Sequence, residues 1–256
     1  MPAGRPPSNG GRAVASKAPR IHVAADYRIG GDVVLPEGPA RHVARVLRLG
    51  PGAPLTLFDG AGREARGVLV EAGRKQVVAR IETVEAGRGE SPLAVHLGQA
   101  IAKGDRMDYA IQKAVELGVA AITPLYTEHG DVRLKGDRAA RKLTHWQAVA
   151  GSACEQCGRA VVPRVHPPVE LAEWLAGRHE ALRLVLHPGG GGALERSEIP
   201  AAVALLIGPE GGLAESEVEA AQGEGFVPLG LGPRILRTET APVVALSLLQ
   251  HRFGDL

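Results

Sequence analysis

The chain has 256 residues, 45% of them hydrophobic and 23% charged. That leaves room for one large domain or two small ones and excludes a wholly disordered or collagen-like chain. The longest apolar run, about eight residues around 201–208, falls far short of the roughly 20 that a membrane span needs. A formal net charge of +2 gives little reason to expect a nucleic-acid partner. The total hides an asymmetry, however: residues 1–90 hold 14 Lys/Arg against 9 Asp/Glu, and residues 91–256 hold 16 against 19.

In chain order, residues 1–19 are Pro, Gly, Ser and Arg with almost nothing to bury, which predicts a disordered extension. They contain no apolar core of a signal peptide, and two cysteines cannot build a disulfide framework, so a reduced, cytoplasmic protein is expected. Residues 20–88 read as a small β domain. IHVAADY, PLTLFDG, ARGVLVEAG and QVVARIETVE are short strands separated by Gly, Pro and Asp turns. PARHVARVLRLG interrupts them with helical spacing of Val43, Val46 and Leu47, and with Arg41, Arg45 and Arg48 at i, i+4, i+7 on another face. Residues 86–92 read as a linker.

From 89 to 256 strands alternate with helices, which predicts an α/β domain with a parallel sheet. LAVHLGQAIA is a strand. Asp105 is placed to cap a helix that buries Met107, Ala110, Ile111, Ala114 and Val115 and ends at Gly118. VAAITPLY is a strand, and RKLTHWQAVAGSACEQCGR and ELAEWLAGRHEA are helices. LRLVLHP and AAVALLIGP have the continuous apolar character of buried parallel strands. PVVALSLLQHRF is a helix with Pro242 in its first turn.

In such sheets ligands bind beyond the carboxyl ends of the strands. Three loops there are rich in Gly or Pro: Leu186-His187-Pro188, IGPEGG at 207–212, and LGLGPRILRTETA at 229–241. Glycine lets backbone groups approach a ligand closely. The usual nucleotide fingerprints fail. GLGPRI has Ile235 where the dinucleotide pattern needs a third Gly, and GPEGG lacks the Gly-Lys-Ser/Thr ending of a phosphate loop. Cys154 and Cys157 form C-x-x-C without a second Cys pair, so no zinc site is expected and the thiols read as idle. No metal ligands stand out among the nine scattered His.

KGDRMDYAIQKAVELGV, SACEQCGR, IGPEGG and LGPRILRTETA, in this order and spacing, resemble the ribosomal RNA small subunit methyltransferase E family, a branch of the SPOUT methyltransferases. The likeness runs from about residue 19 to 256. It implies a PUA-like RNA-binding β-barrel over 20–88 and a methyltransferase domain with a deep trefoil knot over 89–256. It also implies a homodimer, S-adenosylmethionine as methyl donor, and N3 of one uridine in 16S rRNA as acceptor. On this likeness the cofactor is held by Leu186, His187, Gly208, Glu210, Gly211, Leu229, Leu231, Gly232, Leu236, Thr240 and Ala241. Catalysis falls to Arg234, Arg237 and Glu239. N3 of uracil must lose a proton or have its anion stabilised; the arginines suit the anion, and Glu239 suits an orienting or accepting role.

The arginine stripe Arg41, Arg45 and Arg48, with Arg20, Lys103, Lys113, Glu155 and Arg159, is the expected RNA-contacting set; Arg106 joins Lys103 and Lys113 in extending the basic surface across the dimer, and the likeness makes Glu155 and Arg159 active-site neighbours. Glu155 and Arg159 lie four apart, so pairing with each other is the competing expectation. Eight aromatic residues leave few platforms for base stacking. The rival readings are a SPOUT enzyme methylating a ribose 2′-hydroxyl of tRNA or rRNA and a catalytically silent RNA-binding assembly factor. The sequence departs from the family in its first 19 residues and at Ala214. There relatives carry a Ser or Thr cap, whose loss costs about 1 kcal/mol unless Ser216 shifts the helix start.

Overall fold

The computed structural model describes residues 18–73, 75–191, 194 and 198–256. Most of the expected N-terminal extension lies outside these residues. Pro19 belongs to the fold, because its carbonyl accepts the Thr56 N–H at 2.9 Å.

The first layer is a five-stranded sheet built from β1 (Arg20–His22), β2 (Asp32–Val34), β3 (Pro54–Phe58), β4 (Arg63–Ala72) and β5 (Val77–Ala86), in the order β1-β3-β4-β5-β2. Alternation along β3 and β4 turns Leu55, Leu57, Ala65 and Leu69 into a core shared with Ile21, Val33 and Ile81. Gly67 sits at a register shift with β5, and a Cβ there would run into the Arg80 carbonyl. Strand β1 is shorter than IHVAADY predicts. The three-residue β2 carries no run long enough to announce it.

The basic helix is wound differently from its predicted periodicity. Helix α1 (Glu37–Arg41) continues as one π-helical turn over His42–Val46, closed by the Leu47 N–H donating to the His42 carbonyl at 2.9 Å. The i→i+5 turn spreads the side chains beyond α-helical spacing. Val43 is fully buried, but Val46 is 65% exposed. The chain leaves through Arg48, whose φ of 54° is left-handed. Arg41 and Arg45 therefore share an exposed helical surface, and Arg48 belongs to the following turn, not to their stripe.

The second layer holds β6 (Ala94–Ala100), β7 (Ala121–Tyr126), β8 (Arg164–Val165), β10 (Leu182–Leu186), β11 (Ala202–Ile207) and β12 (Val227–Leu229) in the order β12-β10-β11-β6-β7-β8, with β9 (Val169–Glu170) also on β7. Every pairing in it is parallel. The covering helices are α2 (Asp105–Glu116), α3 (Gly136–Cys157), α4 (Leu171–Ala176), α5 (Glu215–Gly223) and α6 (Ala241–Phe253). Helix α2 buries the five predicted residues. Its N-cap is Gly104 with φ 60°, however, and Asp105 is the first helical residue. Helix α4 stops at Ala176, well short of the predicted segment. Helix α5 starts after Ala214 and does not shift to Ser216; the Glu217 carboxylate accepts the Ala214 N–H at 2.9 Å and does part of the missing cap's work.

The two layers are joined by buried polar contacts. Helix α3 ends at Gly158, whose φ of 94° reverses the chain, so Arg159 lies beyond the helix. Arg159 is 4% exposed and points back under the linker. It holds Glu90 through Nε and Nη2 at 3.1 and 2.7 Å and donates from Nη1 to the Val115 and Val119 carbonyls. The other oxygen of Glu90 accepts the Ala160 and Val161 N–H groups. Glu155 faces a different partner, the His22 N–H at 2.9 Å. The expected Glu155–Arg159 pair is thus replaced by an inter-layer contact from Glu155 and a tie from Arg159 to the linker. Arg20 bridges Glu64 at 2.8 Å and the Arg159 carbonyl at 3.1 Å, over the Phe58 ring. Phe58, on the first sheet, is buried in the core of the second layer.

Candidate cofactor and RNA site

The strand order sets the carboxyl ends of β12, β10 and β11 side by side, and β6 beside β11 is where the connection direction reverses. The three Gly- and Pro-rich loops emerge from these ends. The loop after β12 is backed against the loop after β10: His187 N–H donates to the Leu229 carbonyl at 3.1 Å, and Gly190 and Gly230 meet backbone to backbone. A Cβ on Gly230 would overlap the Gly190 carbonyl, and one on Gly190 would come within 2.8 Å of Gly230 N. Gly208 is hemmed in by Leu213, whose N lies 3.1 Å from where a Cβ would sit.

The loop after β12 is also tied to the loop after β11. Thr238 Oγ1 donates to the Gly208 carbonyl at 3.0 Å and accepts from Gln99 Nε2 at 3.2 Å. Leu229 and Ala241 are buried, and Leu186, Leu231 and Leu236 lie half-buried against the main core. Thr240 and Ala241 N–H groups both donate to the Arg237 carbonyl as the loop enters α6. His187, Glu210, Gly211, Gly232, Arg234 and Arg237 are exposed, and Glu239 is half-buried. Among the described residues neither Arg234 nor Arg237 has a carboxylate partner.

Glu210 is engaged by the protein itself. Arg106 donates to it at 2.9 Å, and the Lys103 N–H lies 3.5 Å away. Burial raises its carboxyl pKa, but hydrogen bonds from its own backbone, Arg106 and Lys103 outweigh that and hold it below the usual value. Lys103 Nζ pairs with Asp131 at 2.6 Å, and Lys113 with Glu116 at 2.8 Å. The charges of Lys103, Arg106 and Lys113, expected to extend a basic surface, are therefore matched by local acids. Arg20 and Arg159 are committed to contacts at the layer junction. Arg41 and Arg45 remain exposed and, with Lys75 and Gln76, line a groove of about 830 Å³ whose apolar wall includes Leu35, Ala40 and Val77. Cys154 is buried with its thiol pushed up to about 12 by desolvation, and Cys157 is exposed.

Two groups that the sequence reading passed over belong to the site. Gln99 and Thr238 are buried on β6 and in the loop after β12. The only signal in the sequence is a polar residue at the end of an apolar strand in GQAIA. His129, in the loop after β7, sits 3.2 Å from the Gly212 carbonyl and brings that loop to the same edge.

The loops fit S-adenosylmethionine. The closest approach, between Gly190 and Gly230, is glycine to glycine. Two buried acceptors, Gln99 Oε1 and Glu239 Oε2, have no partner among the described residues and suit a ligand bearing donors.

Comparison with known proteins defines the class. A family model described as RNA methyltransferase domain matches residues 89–250, and one described as RNA methyltransferase PUA domain matches residues 35–82. The fold and its carboxyl-edge loops are thus those of an RNA methyltransferase carrying a PUA domain. Ribosomal RNA small subunit methyltransferase E of Buchnera aphidicola (subsp. Schizaphis graminum) is 35% identical over 94% of this chain and 98% of the relative. That of Bacillus subtilis is 32% identical over 91% and 93%. The crystal structure of the Neisseria gonorrhoeae enzyme of the same name, bound to S-adenosylmethionine, superposes with a TM-score of 0.87 at 38% identity, covering 94% of this chain and all of that one. A Legionella pneumophila protein solved with the same bound cofactor reaches 0.91 at 43% identity over the same shares. The chain belongs to the ribosomal RNA small subunit methyltransferase E family.

Proposed function

We propose that this chain methylates N3 of a uridine in 16S rRNA, using S-adenosylmethionine, as a cytoplasmic homodimer whose methyltransferase domain, residues 89–256, carries a trefoil knot. The observation that carries the reading is the tie between the loops after β10, β11 and β12, a cradle of backbone groups with exposed arginines beside it. When bound, S-adenosylmethionine supplies an electrophilic methyl group. The chain's own task is to hold the base in line with it and to manage the N3 proton. Arg234 and Arg237, without a carboxylate partner among the described residues, are cations beside the cradle suited to negative charge on the uracil oxygens. Glu239 Oε2 offers a buried acceptor. Ile235, 91% exposed in the same loop, and Leu248, exposed on α6, are apolar groups that a second copy would cover.

The test is methyl transfer to small ribosomal subunits from a strain lacking the enzyme, with the modified nucleoside mapped by mass spectrometry. N3-methyluridine at one 16S position is the expected product. A ribose-methylated nucleoside, or no product, overturns the reading. Arg237→Ala is expected to lower the transfer rate about 100-fold while S-adenosylmethionine binding persists, the scale for removing one donor to a developing anion.

Residues 20–88 supply the RNA grip in this reading, and Arg41 and Arg45 carry it. Phosphate contacts release counterions, so each is worth about 0.7–0.9 in the slope of log affinity against log salt. The Arg41→Ala/Arg45→Ala double variant is expected to lose about 1.4–1.8 from that slope in RNA-binding titrations, with S-adenosylmethionine affinity unchanged. An unaltered slope places the RNA elsewhere.

A further inference from the structure

We propose that Gln99 is a positioning residue for methyl transfer, acting through Thr238 on the loop that carries Arg237 and Glu239. Gln99 is completely buried at the penultimate position of β6, in the middle of the sheet. A primary amide there has to be held, and the geometry shows what holds it and what it holds. Nε2 donates to the Ala100 carbonyl and to Thr238 Oγ1, both at 3.2 Å. The neighbouring carbonyl fixes which end of the amide is the donor, since the reversed amide would set oxygen against oxygen. With that donor in place, the Thr238 hydroxyl is left to donate its single proton to Gly208, at 3.0 Å. One side chain on a rigid strand thereby sets the rotamer of the residue between Arg237 and Glu239 and locks the loop after β12 to the loop after β11.

This inference rests on the proposed reaction and deepens it. The flanking residues are an exposed arginine and a carboxylate with an unpartnered buried oxygen. Nothing else hydrogen-bonds the Thr238 side chain among the described residues. Without the brace, the backbone between Arg237 and Glu239 is anchored by its own turn into α6, through Thr240 N–H and Ala241 N–H to the Arg237 carbonyl. The loop would stay folded and lose its register against Gly208. Displacements on the order of 1 Å at a reacting centre cost about 100-fold in rate.

The experiment compares Gln99→Leu, Thr238→Val and Thr238→Ser with the wild type. The first two remove the brace with little change in volume, and the third keeps the hydroxyl. Single-turnover methyl transfer to small subunits is expected to fall about 100-fold in Gln99→Leu and Thr238→Val. The concentration of subunits giving half-maximal rate stays within about threefold, since the RNA-gripping residues are untouched. Thr238→Ser should retain most of the rate. Amide hydrogen exchange over residues 230–240 of the free protein is expected to speed up in the first two variants and not in the third. Wild-type rates in Gln99→Leu, or a Thr238→Ser variant as impaired as Thr238→Val, overturn the positioning role. A wild-type enzyme that yields no N3-methyluridine sinks the proposed reaction instead. The exchange measurement then still decides whether the brace exists, and unchanged exchange in Gln99→Leu refutes it.

Discussion

Arg159→Ala is expected to destabilise the protein by about 1.5–3 kcal/mol, the scale for hydrogen bonds made by a charged group, because the guanidinium is buried although Glu90 is exposed. Arg159 spends its guanidinium on three groups 69, 44 and 40 positions away from it: Glu90 in the linker, and the Val115 and Val119 carbonyls around the end of α2. Truncation leaves the Val119 carbonyl without this donor, the Val115 carbonyl with only the Gly118 N–H, and Glu90 without its counter-charge, in a place where the arginine side chain is 5% exposed. Arg159→Lys should recover only part of the loss, because an ammonium cannot span the fork that the guanidinium fills. Urea unfolding read by the fluorescence of Trp146 and Trp174, both buried in the second layer, measures the effect. Arg66→Ala is the control. Its pair with Glu85 is exposed on both sides, and its loss should stay within about 0.5 kcal/mol. A loss in Arg159→Ala no larger than the control's would mean that the junction contributes nothing to stability.

The same residue marks where sequence reading ends. Arg159 and Glu155 are four apart, and helical spacing invites pairing between them. Gly158 stops the helix between them and sends Arg159 to a carboxylate 69 positions away. Local periodicity carries no record of such a partner. It does carry α2, whose five buried positions follow from spacing alone, because one amphipathic face against a sheet is a local pattern. The arginine stripe fell between these cases. Arg41 and Arg45 were legible as exposed cations on a helix. The π turn that exposes Val46 and frees Arg48 from the stripe was not, since it depends on how the helix ends against the five-stranded sheet. The cofactor loops were legible as Gly- and Pro-rich ends of apolar runs, but their mutual contact was not. That contact is set by the strand order β12-β10-β11, and each strand reads the same wherever it is placed in a sheet. Gln99 and Thr238 were missed for a related reason: a buried polar pair 139 residues apart has no signature until the sheet brings its members together.

Gly230→Ala is expected to abolish methyl transfer for practical purposes, by at least about 100-fold, and to weaken S-adenosylmethionine binding. It should cost about 1–3 kcal/mol of stability, the usual range for forcing a group into occupied space. The added methyl would overlap the Gly190 carbonyl oxygen; the obstructing group is backbone and the methyl has no rotamers, so no rotamer change relieves it. The loops after β10 and β12 must part, and with them the hydrogen bond from His187 N–H to the Leu229 carbonyl. Gly190→Ala meets the same obstruction from the other side, against Gly230 N at 2.8 Å, and should behave alike. Gly191→Ala is the discriminating control. Nothing lies within 4 Å of its Cβ position, so binding and transfer should be unchanged although the substitution is one residue away. Calorimetric titration with S-adenosylmethionine, alongside the methyl-transfer assay, separates the cases. If Gly230→Ala binds the cofactor as the wild type does, the close approach of the two loops is a feature of the fold alone. If Gly190→Ala and Gly230→Ala fail together while Gly191→Ala does not, the cradle is made by backbone contact between these loops, and the two glycines are there because no side chain fits.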